Sequence, residues 1–519
     1  METRSAKRKK MAQIIENDAK AAIDRISDLP DEVIHHILFL LPIKCVAQLS
    51  VLSKRWRILW STFPDLDFRT LNSFEISSKN VKFLEFEKAR QPLHSTRMDF
   101  ITQVLSIRDK HSDIRVLCFR ARLSFSRLNG LIRRAIRHNV RELDIEAATV
   151  CTDDYFNFPR CVIGSESLRV LKLKSGFRLP PSSVMRHGFQ YLQTLSLSLV
   201  ILNNQPSLPD LFSESSFPLL KTLNLDACFG LKYLHVGCRV LQDLNLEKCY
   251  ELEGLDISCA KLQRMRLAKC FDAYSDKSWV KVNAPKLEHL CWQHNAVTDL
   301  TIFEHSNLLH EVTLGFFILT RDNTLKLQSA VDFLSGLSHA HSLYLERQTI
   351  EIYNLHSLWL QILSNNHLLF QPFYNLKYLE LHTGFNKGNV SGLTCLFKSS
   401  PTLNTLIVKI IHEYRIERKE WNRDLWDMTI TEGEQYWESQ IRTLESFLQH
   451  LKVVKIHGFH DYENEVALAK FLLKHGKALE QMVLYTGNCN ARDTLRRQKI
   501  RSQMMGFSWA SSNAKVAFQ

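Results

Sequence analysis

Twelve cysteines and 21 histidines are the residues of this 519-residue chain best suited to chemistry. The stretch "CRVLQDLNLEKCYELEGLDISC", from Cys238 to Cys259, sets three thiols among regularly spaced leucines. Thiols can ligate a soft metal, cross-link, or attack as nucleophiles. A zinc site takes ligands in short C-x-x-C-like pairs that converge in space. No two cysteines in the chain are that close. The histidines do not gather either: His35 and His36 fall in an apolar run, and His339 and His341 precede a strand-like segment. A G-x-S-x-G elbow, a P-loop, H-E-x-x-H and G-x-G-x-x-G are all missing. The residues therefore point away from an enzyme, a metal site or a bound cofactor.

The spacing of the cysteines has another origin, a repeat. The hexamer L-x-x-L-x-L recurs as "LRVLKL" (168–173), "LQTLSL" (192–197), "LKTLNL" (220–225), "LQDLNL" (241–246), "LQRMRL" (262–267), "LEHLCW" (287–292), "LHEVTL" (309–314), "LKYLEL" (376–381), "LNTLIV" (403–408), "LKVVKI" (451–456) and "LEQMVL" (479–484). Weaker copies are "IRVLCF" (114–119), "VRELDI" (140–145) and "AHSLYL" (340–345). This is the leucine-rich-repeat signature, a short strand and a return segment stacked into a curved α/β solenoid. Cys228, Cys249, Cys270 and Asn295 hold the same place after their hexamers. There the consensus asks for Asn or Cys, because the chain turns inward and leaves backbone groups in need of partners. Cys238 and Cys259 take the matching place after the half-repeats "LKYLHV" (231–236) and "LEGLDI" (252–257), which the spacing puts on the convex side. The thiols are thus read as structural.

The elements must also present a surface. Leucines of each hexamer point inward, so period-two alternation sends the residue between the last two outward. Stacking lines up Lys172, Ser196, Asn224, Asn245, Arg266, Cys291 and Thr313 on the concave face, with Glu380 further along. Lys172, Asn224, Asn245 and Arg266 are the candidate target-binding residues. The mixed polarity of this row is no phosphate track, which argues against nucleic acid despite a net charge of +13. No apolar run is long enough for a membrane span, and the first residues, "METRSAKRKK", lack the apolar core of a signal peptide. An intracellular protein with reduced thiols is expected. The "KRKK" at 7–10 is a candidate nuclear import signal, so nucleus and cytoplasm are the expected locations.

Ahead of the repeats, "DRISDLPDEVIHHILFLLPIKCVAQLSVLSKRWRILW" (24–60) spells three short helices. Asp28 can cap the first, with Pro30, Asp31 and Glu32 in its first turn and Val33, Ile34, Ile37, Leu38 and Leu41 at helical spacing. Pro42 begins a second helix carrying Val46, Leu49 and Val51, and Ser53 can cap a third bearing Trp56, Leu59 and Trp60. The run Leu29-Pro30, Val33, Ile37, Leu41-Pro42, Val46, Val51-Leu52 and Ser53-Lys54-Arg55-Trp56 resembles the F-box motif. The segment 451–485, read as strand, helix, strand, resembles the FBD region of plant F-box proteins, as does "MGFSWASSNAKVAF" near the end.

The resemblance implies an F-box at 22–68 after a disordered basic tail at 1–21. A repeat solenoid follows at 69–411, then a Trp-rich charged loop at 412–440 and an FBD region at 441–519 that continues the repeats. It further implies a non-catalytic substrate receptor of an SCF ubiquitin ligase. Leu29, Pro30, Val33, Ile37, Leu41, Pro42, Leu52, Lys54, Arg55 and Trp56 would meet a Skp-type adaptor, itself joined to a cullin and a RING subunit. The repeats would hold a protein target. The alternative is a leucine-rich-repeat scaffold or small-molecule co-receptor acting outside a ligase.

Overall fold

The computed structural model describes residues 29–69, 95–148, 156–180, 182–201, 208–272, 277–304, 308–317, 324–350, 372–385, 387–411, 430–459, 463–486 and 491–519. The "KRKK" cluster, Asp28, Trp421 and Trp426 lie outside them. The chain divides into two compact units, Met1–Thr152 and Asp153–Gln519.

The first unit opens with helices α1 (Asp31–Phe39), α2 (Ile43–Leu49) and α3 (Lys54–Thr62). Pro30 and Pro42 stand at the N-caps of α1 and α2, where their fixed φ of −58° leads into the helix. Ser53 caps α3, its hydroxyl accepting from the Trp56 N–H at 3.3 Å. Ile34, Leu38, Ile43, Val46, Leu59, Trp60 and Phe63 form the small core. Val51 falls beyond the end of α2 and is exposed. Strands Asp65–Asp67, Val116–Arg122 and Glu142–Ala148 then pair in parallel. The helix Phe125–Arg137 crosses between the last two and buries Leu128, Leu131, Ile132 and Ala135, one stripe at helical spacing. Buried Arg108 ties the helices to these strands by donating to the carbonyls of Phe63 (2.6 Å) and Asp113 (2.7 Å).

The second unit is a stack of repeats. Its large parallel sheet runs from Val170–Lys174 to Lys515–Phe518, one strand for each hexamer in this unit and a last strand from the C-terminal segment. Between Leu208 and Glu304 the return segments are also strands, forming a second parallel sheet whose members alternate in sequence with those of the first. The half-repeats Tyr233–Gly237 and Gly254–Ser258 lie there, in the place their spacing predicts. Leu223, Leu225, Leu244, Leu246, Met265 and Leu267 meet Leu234, Val236, Leu255 and Ile257 in a dry core between the sheets. From Thr324 onward the return segments are helices: Thr324–Gly336, Lys387–Lys398, Glu463–His475 and Ala491–Met505. The basic stretch at 492–501 lies on the last of these.

The segment 451–485 is strand, helix and strand as its sequence predicts, at Val453–His457, Glu463–His475 and Gln481–Tyr485. The stretch read as a charged loop ends differently. Residues Ile430–Ser439 form a helix whose Trp437 is 1% exposed and packs on Phe397 and Phe471. Burial of that indole outweighs the charged composition around it.

Candidate functional site

Two surfaces stand out, one in each unit. On the helical module, Arg55 of α3 reaches back to the start of α1. Its guanidinium donates to the Leu29 carbonyl and pairs with Asp31, with 2.6 Å between Nη2 and the carboxylate. That tie closes the module end to end and half-buries Leu29, Arg55 and Trp56. The Phe39 ring is engaged as well, 5.2 Å from Phe63 and with the Arg115 guanidinium 4.8 Å above it.

A set of apolar side chains is left outside. Val51, Leu40, Leu52 and Ile58 are 80%, 78%, 68% and 64% exposed. Val33, Ile37 and Leu41 are exposed beside them in sequence, as are Pro30, Pro42 and Lys54. Of the residues singled out from sequence, Val33, Ile37, Leu41 and Leu52 are therefore open, while Leu29, Arg55 and Trp56 are partly used in holding the module together. Leu40, Val51 and Ile58 were missed. Ile58 had a signal, since α3 carries more apolar residues than one buried stripe needs, whereas Leu40 and Val51 lie just past the ends of α1 and α2.

The second surface is the outward face of the large sheet. Strand register places Lys172 beside Ser196, Ser196 beside Asn224, Asn224 beside Asn245, Asn245 beside Arg266, Arg266 beside Cys291 and Cys291 beside Thr313. The row read from sequence is thus one continuous ladder, and it runs on through Tyr344 and Glu380. The residues two positions earlier make a parallel row that sequence reasoning passed over: Asp243, Arg264, His289 and Glu311. The same alternation rule would have found it.

Most charges on this face are paired. Arg264 grips Asp243 through both carboxylate oxygens, at 2.8 Å for Nη2. His289 sits 3.1 Å from Glu311, and Lys248 spans Glu247 at 2.9 Å and Asp226 at 3.5 Å. Further along, Glu380 is largely buried and meets the Tyr378 hydroxyl at 2.8 Å, His382 at 3.0 Å and Lys409 at 2.5 Å. Burial opposes ionisation of that carboxyl, but the hydrogen bonds from Lys409, His382 and Tyr378 outweigh it and hold the pKa down to about 2. Between these pairs an open depression of about 320 Å³ is lined by Asp243, Asn245, Arg264, Arg266, Cys291 and Thr313, among others. It brings Asn245 and Arg266 together. Lys172 and Asn224 share the ladder but lie outside the depression.

The cysteines fill the inside of the turn. The residue before each has left-handed backbone: Ala227, Lys248, Lys269 and His294 have φ of 51°, 54°, 56° and 53°. The side chain that follows then points inward and bonds to the repeat before it. The thiols of Cys228, Cys249 and Cys270 donate to the carbonyls of Leu197 (3.9 Å), Leu225 (3.9 Å) and Leu246 (3.4 Å). Asn295 does more: it donates to the Leu267 carbonyl at 2.9 Å and accepts from the N–H groups of Cys270 (2.7 Å) and Phe271 (3.2 Å). In the second sheet Cys238 and Cys259 donate to Phe212 and Val236 at 3.3 and 3.4 Å. Burial pushes their thiols up to about 12 and about 11, so both stay protonated at neutral pH. Among the described residues no group of three or more His, Cys, Asp or Glu is placed to hold a metal, and no helix is long and apolar enough to cross a membrane.

Comparison with known proteins agrees with this layout. An F-box domain profile matches residues 26–68. The profile of the At1g61320/AtMIF1 leucine-rich-repeat domain matches residues 105–314 and 237–516. The F-box/FBD/LRR-repeat protein At4g03220 of Arabidopsis thaliana is 49% identical over 524 residues, covering 100% of both chains. Two further relatives from that plant are 27% identical: the F-box/LRR-repeat protein At5g02910, over 91% of this chain and 90% of its own, and the F-box/FBD/LRR-repeat protein At3g26920, over 88% of each.

Proposed function

The chain belongs to the F-box/FBD/leucine-rich-repeat family of plant proteins, and on that premise we propose that it is a substrate-recognition subunit of an SCF-type ubiquitin ligase. The F-box docks on a Skp-type adaptor, which connects it to a cullin and a RING subunit. The outward face of the repeat sheet holds a protein target. Chemistry belongs to a separate conjugating enzyme. The receptor contributes position, raising the effective concentration of target lysines near activated ubiquitin.

The observation that carries this reading is the apolar surface left open on the F-box. A module of this size cannot enclose all its apolar side chains. Leu40, Val51, Leu52 and Ile58 stand in water, outside the module's own core. An interface of ordinary size, about 1,600 Å², draws its affinity from such groups once they are buried. The test is co-purification with a Skp-type adaptor. Leu52→Asp with Ile58→Asp should abolish it while the melting temperature and circular dichroism stay as in the wild type. Adaptor retained by the folded double variant would overturn the assignment.

A further inference from the structure

We infer that the depression on the outward face of the repeat sheet selects a carboxylate side chain carried by an extended segment of the protein target. This rests on the reading that the repeats capture the target, and it adds the chemistry of what they recognise.

Most charges around the depression are already satisfied. Arg264 is held by Asp243, His289 faces Glu311, and Lys248 holds both Asp226 and Glu247. Arg266 sits among these groups and is exposed. Its Nη1 meets only the Cys291 sulfur, at 3.6 Å. A thiol sulfur is a weak acceptor, and this one in turn donates to the Gln293 side chain at 3.3 Å. Among the described residues lining the depression, Arg266 is the guanidinium with no carboxylate in ion-pair range.

A second group nearby also lacks a partner. The side-chain carbonyl oxygen of Asn245 is shielded from solvent and accepts no hydrogen bond. Asn245 is the direct register neighbour of Arg266, and both line the depression. An unpaired buried acceptor is costly, so turning the Asn245 amide toward the depression to meet a ligand N–H gains binding energy.

The two residues sit on neighbouring strands, whose backbones lie about 4.8 Å apart. They call for an anion and an N–H donor on adjacent positions of one ligand. One acidic peptide residue carries both: its side chain can fork onto Arg266 while a backbone N–H reaches Asn245. The planar guanidinium matches a carboxylate through two parallel hydrogen bonds. A phosphate, with its charge of about −1.5 to −2, calls for more than one cation. Among the described residues, the other guanidinium lining the depression, that of Arg264, is already taken by Asp243. The net charge of +13 adds a long-range pull on an acidic segment, while Asp243 and Glu311 at the rim repel a polyanion.

The probe is a displayed library of random 12-residue peptides panned against the full-length chain. Selected peptides should be enriched in Asp or Glu at one position. A synthetic copy of the best should lose at least about tenfold in affinity when that acid becomes its amide, and equally with Arg266→Gln. Asn245→Leu should weaken it severalfold. Arg266→Glu should invert the preference and select Lys or Arg at the same position. Arg266 is exposed, so the variants at that position should melt as the wild type does.

Peptides with no acidic preference, a panning that selects nothing, or acid-dependent binding indifferent to Arg266 would each overturn the inference. So would a phosphoserine peptide that binds more than about tenfold tighter than its Asp counterpart. The same protein is assayed for adaptor co-purification. Adaptor bound with no acidic selection means that this inference fails alone. Adaptor lost with acidic selection intact means that the ligase reading fails alone.

Discussion

The F-box and the repeat sheet use charge and apolar surface in opposite ways. In the F-box the ion pair is internal: Arg55 and Asp31 lock α3 to the start of α1, and the apolar residues are left outside. In the repeat sheet the leucines of the hexamers are inside and the charges stand on the open face, most of them with a partner. The cause is geometric. Three short helices enclose too small a volume to bury all their Leu, Ile and Val side chains. A parallel sheet with one covered face alternates cleanly, and its stacked strands set outward side chains side by side. The first surface fits tight, salt-insensitive docking to a constant partner, and the second fits charge-based discrimination among targets.

The largest test of that contrast is to reverse it. Leu40→Asp with Leu52→Asp should weaken adaptor binding at least about a thousandfold, roughly 4 kcal/mol, in an affinity titration. Raising NaCl to about 0.5 M should leave wild-type adaptor affinity within about threefold, while binding at the sheet face falls by more. Equal salt sensitivity at both surfaces would remove the distinction.

Inside the repeats the side chain at the turn should rank by how many backbone groups it serves. Asn295→Ala leaves two N–H groups and a carbonyl without partners and should cost about 3 kcal/mol in urea denaturation. Cys249→Ala should cost about 1–2 kcal/mol. Cys249→Asn should be better tolerated than Cys249→Leu, because the turn accepts amide hydrogen bonds and not bulk.

The pH dependence isolates one saturated charge. Glu380 titrates at about 2 in the fold, against 4.5 when unfolded. A depressed carboxyl stabilises the protein above its unfolded value and loses that stabilisation as pH falls. Stability should therefore decline between about pH 4.5 and 2, by on the order of 2 kcal/mol from this group. Glu380→Gln should flatten that part of the melting-temperature profile. The smallest effect belongs to the exposed pair at the depression: Asp243→Asn should change stability by less than about 1 kcal/mol, because water already screens Arg264.

Much of this architecture is legible in the residue pattern. The hexamer period locates nearly every strand of the large sheet, and its alternation aligns Lys172 through Thr313 in the register the strands adopt. The Cys or Asn after each hexamer marks the inward turn. Other features leave no such trace. Ala227, Lys248 and Lys269 are not residues that favour left-handed backbone, yet the turn demands it and the inward hydrogen bonds offset the cost. Trp437 sits in a charged stretch that reads as loop, yet the stretch is a helix whose indole packs on Phe397 and Phe471.

The sequence by itself determined which residues face inward, because burial of leucine follows a local period that a single strand or helix enforces. It also determined the order of F-box, repeats and C-terminal region. The tertiary structure decided which outward residues remain available. Arg264 and Arg266 are two positions apart on one strand and look alike in sequence. Asp243 on the neighbouring strand takes the first, while the second bonds to a thiol. The repeat period sets these neighbours side by side, but which of them closes on an arginine depends on the reach and packing of side chains on adjacent strands.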